Sequence, residues 1–250
     1  MRGQYIEPMA LSVPTLRDAA RRALPPGLCA VCHDWSRHAV CEPCLQRFAP
    51  QRPRCARCAR VLPAALPICG ECLRTASAFD ACITGADYVD PWDQLIAGFK
   101  FHQKTELAAA LCEPMLRAVR EAARDATPAL LLPVPLSRER LRERGYNQAW
   151  ELARRLARRV DVAARADVLQ RSRDTPHQIG MTRAEREHNL RDAFWIEPRQ
   201  RYRLQGVHVA LVDDVFTTGA TAHAAALALT RAGAARVEVW VVARTPLGDE

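Results

Sequence analysis

From residue 79 onward, short apolar runs alternate with longer stretches in which apolar residues recur every three or four positions. Ala81 to Val89 reads as a strand, and Pro91 to Phe101 as a short helix carrying Trp92, Leu95, Ile96 and Phe99 on one side. Leu107, Leu111, Met115, Leu116 and Val119 continue a helical pattern that Pro114 is expected to kink or break. Ala129 to Val134 predicts a short buried strand. Ala149, Leu152, Ala153, Leu156, Ala157 and Val160 predict a helix with arginines on its opposite face. Val207 to Val212 predicts a strand ending in two acids. Gly219 to Arg231 predicts an alanine-rich helix closed by Gly233, and Arg236 to Ala243 a further strand. This alternation predicts an α/β fold, a mostly parallel sheet with helices on both faces.

The stretch before it is different material. Residues 29–73 are rich in cysteine, proline and arginine and poor in large aliphatics, so they cannot bury enough apolar surface alone and need a staple. Eight of the ten cysteines supply one, as four CxxC pairs: Cys29/Cys32, Cys41/Cys44, Cys55/Cys58 and Cys69/Cys72. A CxxC turn points two thiolates at one metal, and two turns complete a tetrahedral zinc site with no position left for water. The expectation is two structural Zn²⁺ ions. Pairing in sequence order gives a double zinc ribbon; crossed pairing satisfies the same spacing, and four cysteines also suit an iron–sulfur cluster. The expected organisation is a lead-in at 1–28 with a possible helix, the double ribbon at 29–78, and the α/β domain at 79–250.

A chain of 250 residues with 49% hydrophobic and 26% charged residues has enough material for a core. No apolar run approaches the ~20 residues of a membrane span, and residues 1–28 lack the apolar centre of a signal peptide. A cytoplasmic location is the expectation. The formal charge is +8, and Lys100 and Lys104 are the only lysines. Arg47, Arg52, Arg54, Arg57 and Arg60 cluster, with no acid between Pro43 and Gly70. Two readings stay open for them, a phosphate-contacting patch for nucleic acid and a solvated basic face.

The stretch Val207 to Thr221 carries the chemistry. An apolar strand delivers Asp213 and Asp214, and Val215-Phe216-Thr217-Thr218-Gly219-Ala220-Thr221 leads into a helix. Backbone N–H groups of such a loop, with the helix N-terminus, favour an anion. Thr217, Thr218 and Thr221 add hydroxyls, Gly219 permits close approach of backbone, and adjacent carboxylates accept from neighbouring sugar hydroxyls. A phosphate cradle beside diol acceptors fits ribose 5-phosphate. The stretch resembles the type I phosphoribosyltransferase signature: four apolar residues, two acids, two more residues, then Thr-Thr-Gly-x-Thr.

Further residues extend the likeness. Val134-Pro135-Leu136, Arg144-Gly145-Tyr146-Asn147-Gln148, Gln178, Arg183, Asn189, Ala193-Phe194 and the CxxC pairs together resemble the ComF family, which includes ComFC and GntX. The resemblance implies a type I phosphoribosyltransferase-like domain behind a zinc ribbon, phosphoribosyl pyrophosphate as ligand, and a role in natural competence and DNA uptake. It also implies that residues 172–187 form a loop closing over the site.

Transfer from phosphoribosyl pyrophosphate proceeds through an oxocarbenium-like sugar. The departing pyrophosphate must be held by Mg²⁺ and by donors, for which Ser137, Arg138, Arg171 and Arg173 are the candidates. Arg138, Arg140, Arg142 and Arg144 also read as a solvated helix face. The residues leave two functions open. One is a Mg²⁺-dependent phosphoribosyltransferase using Asp213 and Asp214. The other is a non-catalytic protein that senses the ligand or binds single-stranded DNA beside competence proteins.

Overall fold

The computed structural model describes residues 27–63, 66–122, 127–171 and 193–246. The expected lead-in helix and closing loop lie outside these residues, as do Arg173, Gln178, Arg183 and Asn189.

The first segment is built twice on one plan. Strands β1 (Gly27–Leu28) and β2 (Trp35–Ser36) pair antiparallel, and helix α1 (Glu42–Phe48) follows. The second copy has an isolated antiparallel bridge from Arg54 to Val61 and helix α2 (Gly70–Arg74). In each copy the residue after the second cysteine, His33 or Ala59, has a left-handed φ of 62° or 57°. The third cysteine, Cys41 or Cys69, stands at the N-cap of the short helix.

The remainder is the expected α/β unit. In chain order come β3 (Ala81–Asp87), α3 (Trp92–Phe101), a 3₁₀ turn (Thr105–Leu107), α4 (Ala108–Ala122) and β4 (Leu130–Pro133). Then follow α5 (Arg138–Arg144), α6 (Gln148–Val160), β5 (Ala163–Ala164), β6 (Leu169–Arg171) and β7 (Phe194–Ile196). A 3₁₀ segment (Pro198–Leu204), β8 (His208–Phe216), α7 (Ala220–Arg231) and β9 (Arg236–Arg244) complete it. Strands β3, β9, β8, β4 and β5 form one sheet in that order, all parallel, and β6 pairs antiparallel with β7 in a separate sheet. No helix among the described residues is long and apolar enough to cross a membrane.

Strand alternation sends successive residues to opposite faces. Ala210 and Val212 of β8 join Trp92, Ile96, Leu111, Leu152, Leu156 and Trp240 in one core. Val209 and Leu211 join Leu132, Val239, Ala225 and Leu229 in the other. Helices therefore cover both faces.

Two expectations change. Helix α4 runs through Pro114 rather than breaking there, and the interruption falls at Thr105–Leu107. Pro114 is buried opposite Gly85 of β3, where an added Cβ would come within 2.7 Å of the Pro114 and Met115 backbone. Close packing of helix on strand offsets the hydrogen bond that proline cannot make. Strand β8 also continues past Val212. It stays paired with β9 through Phe216, whereas pairing with β4 ends at Val212. Strand β4 closes at Pro133, and Pro135 follows; neither has an N–H to extend the ladder.

The helix–strand contact makes Gly85 intolerant of a side chain. Gly85→Ala should cost about 1–3 kcal/mol by overpacking, read as a fall of at least about 2 °C in Tm. An unchanged melting curve would show that α4 yields at Pro114.

Candidate functional site

The two acids sit where β8 is paired on one side only. Val134 donates its N–H to the Val212 carbonyl at 2.9 Å, and past that point β4 turns away, opening the C-terminal edge of the sheet beside Asp213 and Asp214. Ligands of parallel sheets bind at such edges. Asp213 is half-buried, and its Oδ1 accepts the Asp214 N–H at 2.9 Å. Burial pushes the Asp213 carboxyl up to about 7, the Asp214 charge adds to the rise, and Lys100, the Asp214 amide and Arg144 oppose it. Asp214 is buried and forms an ion pair with Lys100, Nζ to Oδ1 at 2.8 Å.

The loop beyond turns into α7 at a left-handed glycine. Gly219 caps α7 with φ 80°, and a Cβ there would come within 2.5 Å of the Phe216 ring. Only glycine fits this position. Thr217 and Thr218 are exposed, and Thr218 Oγ1 accepts the Ala220 N–H at 3.4 Å. Val215, Ala220 and Thr221 are half-buried. Ser137 follows the neighbouring strand β4. It is buried and caps α5, accepting the Arg140 N–H at 3.3 Å, and the next residue, Arg138, is exposed. The structure thus places Ser137 after β4 and the 213–221 stretch at the C-terminal end of the adjacent strand β8. Arg171 lies in the separate β6–β7 sheet, with its guanidinium over the Phe194 ring at 5.5 Å.

The cysteines form two tetrads in sequence order, Cys29/Cys32/Cys41/Cys44 and Cys55/Cys58/Cys69/Cys72, with the sulfurs of each within 4.8 Å of one another. Crossed pairing is excluded. The Sγ distances of 3.7 Å for Cys32–Cys41 and Cys58–Cys69 match the edge of a ZnS₄ tetrahedron, about 3.8 Å for Zn–S bonds of about 2.3 Å. Backbone amides already point at sulfur. Val31 and Cys41 donate to Cys29 at 3.4 Å, and Cys69 donates to Cys55 at 3.3 Å. Burial works against ionisation of Cys29 and Cys55, but amide donors outweigh it and bring the thiols down to about 6 and about 7. The residues fit a thiolate-bound metal such as zinc.

A family model, "Phosphoribosyl transferase domain", matches residues 146–249. "DNA utilization protein YhgH" of Salmonella typhimurium is 35% identical over 228 residues, covering 88% of this chain and 98% of that one. "Competence protein F" of Haemophilus influenzae is 32% identical over 84% of this chain and 92% of its own length. The chain belongs to the ComF family. Its Bacillus subtilis relative, "Competence protein ComFC", is 29% identical over 63% of this chain and 62% of its own.

Both ComF tetrads are docked on the α/β unit, the first on its helices and the second on its strands. Trp92 donates its indole N–H to the Phe48 carbonyl at 2.6 Å, and Val40, Leu45 and Ala49 share the core with Trp92 and Leu111. At the second tetrad, Cys82 donates its N–H to Ala56 at 3.0 Å and Arg244 Nε donates to the Cys58 carbonyl at 3.1 Å. Much of the arginine cluster is engaged, and two of its members reach the sheet. Arg52 and Arg54 pair with Asp87 at 3.3 and 2.8 Å, Arg60 pairs with Glu71 at 2.6 Å, and Arg47 lies over Phe48.

Sequence reasoning missed Lys100 and Arg244. Lys100 was legible only as one of two lysines, and Arg244 as the residue after an apolar run. Neither carries a local signal, because their partners are far away along the chain.

Two outcomes follow. Freshly purified protein should contain close to two zinc ions per chain, and Cys41→Ser close to one; a folded parent holding one or none would remove the zinc assignment. The second concerns Asp213, whose folded pKa lies above its unfolded value. The folded state then holds the extra proton between about pH 4 and pH 7, so stability falls as pH rises through that window. Asp213→Asn should therefore melt above the parent at pH 8, with the gap closing at pH 5. An equal gap at both pH values would place the cause elsewhere.

Proposed function

We propose that this ComF protein binds phosphoribosyl pyrophosphate with Mg²⁺ and transfers its phosphoribosyl group to an acceptor, in support of DNA uptake and use. The carrying observation is the pairing of two elements at one sheet edge: the Asp213–Asp214 pair beyond the end of the β4 ladder, and the left-handed Gly219 at the N-terminus of α7. In this reading the carboxylates accept from the ribose 2′- and 3′-hydroxyls. The backbone from Val215 to Thr221 and the hydroxyls of Thr217, Thr218 and Thr221 take the 5′-phosphate. Ser137, Arg138, Arg171 and Arg173 contribute to holding the pyrophosphate. Mg²⁺, when bound, neutralises the pyrophosphate charge. An Asp213 titrating near 7 is also suited to exchange a proton at neutral pH. The tetrads, closed by four cysteines each, are structural, and the chain divides into a ribbon unit at 29–78 and a phosphoribosyltransferase-like unit at 79–250. The names of the relatives, a DNA utilization protein and two competence proteins, support the DNA-related role.

Replacing Asp213 and Asp214 together by alanine removes two acceptors, each worth about 1.5–3 kcal/mol when the bond is charge-assisted. Calorimetry with phosphoribosyl pyrophosphate and Mg²⁺ should show binding by the parent and at least about a tenfold loss in the double variant. Equal binding by both proteins would reject the site. Release of pyrophosphate on incubation, with and without a panel of nucleobases, separates transfer from ligand sensing; binding without release would make the protein a sensor.

A further inference from the structure

The segment Arg144-Gly145-Tyr146-Asn147-Gln148 has no role in the reading above, yet it reaches three parts of the site. Helix α5 ends at Gly145, whose φ is 77°. Asn147 then caps α6, its Oδ1 accepting from Ala149 at 2.9 Å, while its Nδ2 donates to the Val134 carbonyl at 3.2 Å. This ties the turn to the end of β4. Tyr146 donates its hydroxyl to the Phe99 carbonyl and packs its ring against the Phe99 ring at 5.7 Å. Arg144 lies over the Phe101 ring at 5.3 Å and donates to Gln148 Oε1 at 3.0 Å. The residue between Phe99 and Phe101 is Lys100, whose ammonium sits on Asp214. The turn therefore grips the end of α3 on both sides of the one lysine that meets the acid pair.

Among the described residues, few charges surround that pair. Asp213 approaches along β8, Lys100 from α3, and Arg144 and the Tyr146 hydroxyl from the α5–α6 turn. Burial raises the Tyr146 hydroxyl above its usual range, so it remains a neutral donor to the α3 carbonyl. Arg144 is committed to Phe101 and Gln148. Lys100 is half-buried and in direct contact with Asp214 through Oδ1, and among the described residues Oδ2 has no ion pair.

We infer that Lys100 is a positioning residue of the phosphoribosyl site: its ammonium holds the Asp214 carboxylate in one orientation, with the second carboxylate oxygen presented to the ribose diol, and the Arg144–Gln148 turn fixes the ammonium there. This rests on the phosphoribosyl reading. A fixed cation on Asp214 also offsets the repulsion between the two carboxylates.

The test measures affinity for phosphoribosyl pyrophosphate with Mg²⁺ by calorimetry from pH 5.5 to 8.5, for the parent, Lys100→Met, Lys100→Arg and Tyr146→Phe, all as full-length chains with melting curves recorded. Lys100 opposes the rise in the Asp213 pKa, so loss of the cation should raise it further. Lys100→Met should therefore bind at least about tenfold more weakly near pH 6 and recover part of the loss toward pH 8.5, its midpoint displaced upward by about half a unit or more. Lys100→Arg should keep the parental midpoint. Tyr146→Phe should shift it in the same direction as Lys100→Met, by less. A lysine serving only to stabilise the fold would lower Tm and leave the midpoint in place, which would overturn the inference. Parental affinity and midpoint in Lys100→Met would overturn it too, with the phosphoribosyl reading intact. Absence of binding by the parent would remove both.

Discussion

Two carboxylates on consecutive positions of a buried strand are an electrostatic cost, and much of the structure around them offsets it. Asp213 meets the cost by holding its proton to about pH 7. Asp214, more deeply buried, meets it with the Lys100 ammonium. Neither arrangement adds to fold stability, since apolar residues at these positions would pack at no such cost. An acid pair at such a cost is what the proposed ligand chemistry calls for, and the opening beside it has the same logic. Strand β4 stops at Pro133 while β8 and β9 continue, so the carboxylates emerge at an edge instead of inside a closed ladder.

The N-terminal segment solves a different problem. Its helices have seven and five residues, too short to hold by themselves. Each is started by a cysteine at its N-cap and joined to a hairpin turn through that same cysteine's tetrad. Amide donors around Cys29 and Cys55 prepare a thiolate before a metal arrives, so the fold and the ligand set are one object. The apolar residues that remain, Val40, Leu45 and Ala49, are too few for a core and complete their burial against Trp92 and Leu111.

What the sequence made legible was local. The sheet strands β3, β4, β8 and β9 and the helices α3, α6 and α7 follow from apolar periodicity. The tetrads follow from CxxC spacing, and the acid–threonine–glycine stretch from its own order. The misreadings came from partners distant in sequence. Val212 read as a strand end because acids are poor strand residues, but β9 supplies hydrogen-bond partners through Phe216 whatever the side chains are. Pro114 read as a helix break because its packing partner, Gly85, lies on another element. The arginines from Arg47 to Arg60 read as an open patch because Asp87 and Glu71, which pair with Arg52, Arg54 and Arg60, fall outside that window. Lys100 and Asp214 are linked only in three dimensions.

Among the contacts that join the two halves, one reaches the loop into α7. Arg244, at the end of β9, is buried. It donates to the carbonyl of Cys58 at 3.1 Å and to that of Phe216 at 3.4 Å, and its guanidinium lies over the Phe216 ring at 5.2 Å. That ring also meets Phe79 edge-on at 5.9 Å and occupies the space any side chain at Gly219 would need. A planar cation with fixed donors can satisfy both carbonyls only while they keep their separation. Cys58 is held by its tetrad and Phe216 begins the loop into α7, so the arginine relates the position of one to the other. The His223 ring adds a second tie, its Nδ1 accepting the Ala78 N–H at 3.2 Å from the chain that links α2 to β3. The ribbon is thus part of the wall behind the loop, which gives a physical reason for the two units to be carried on one chain.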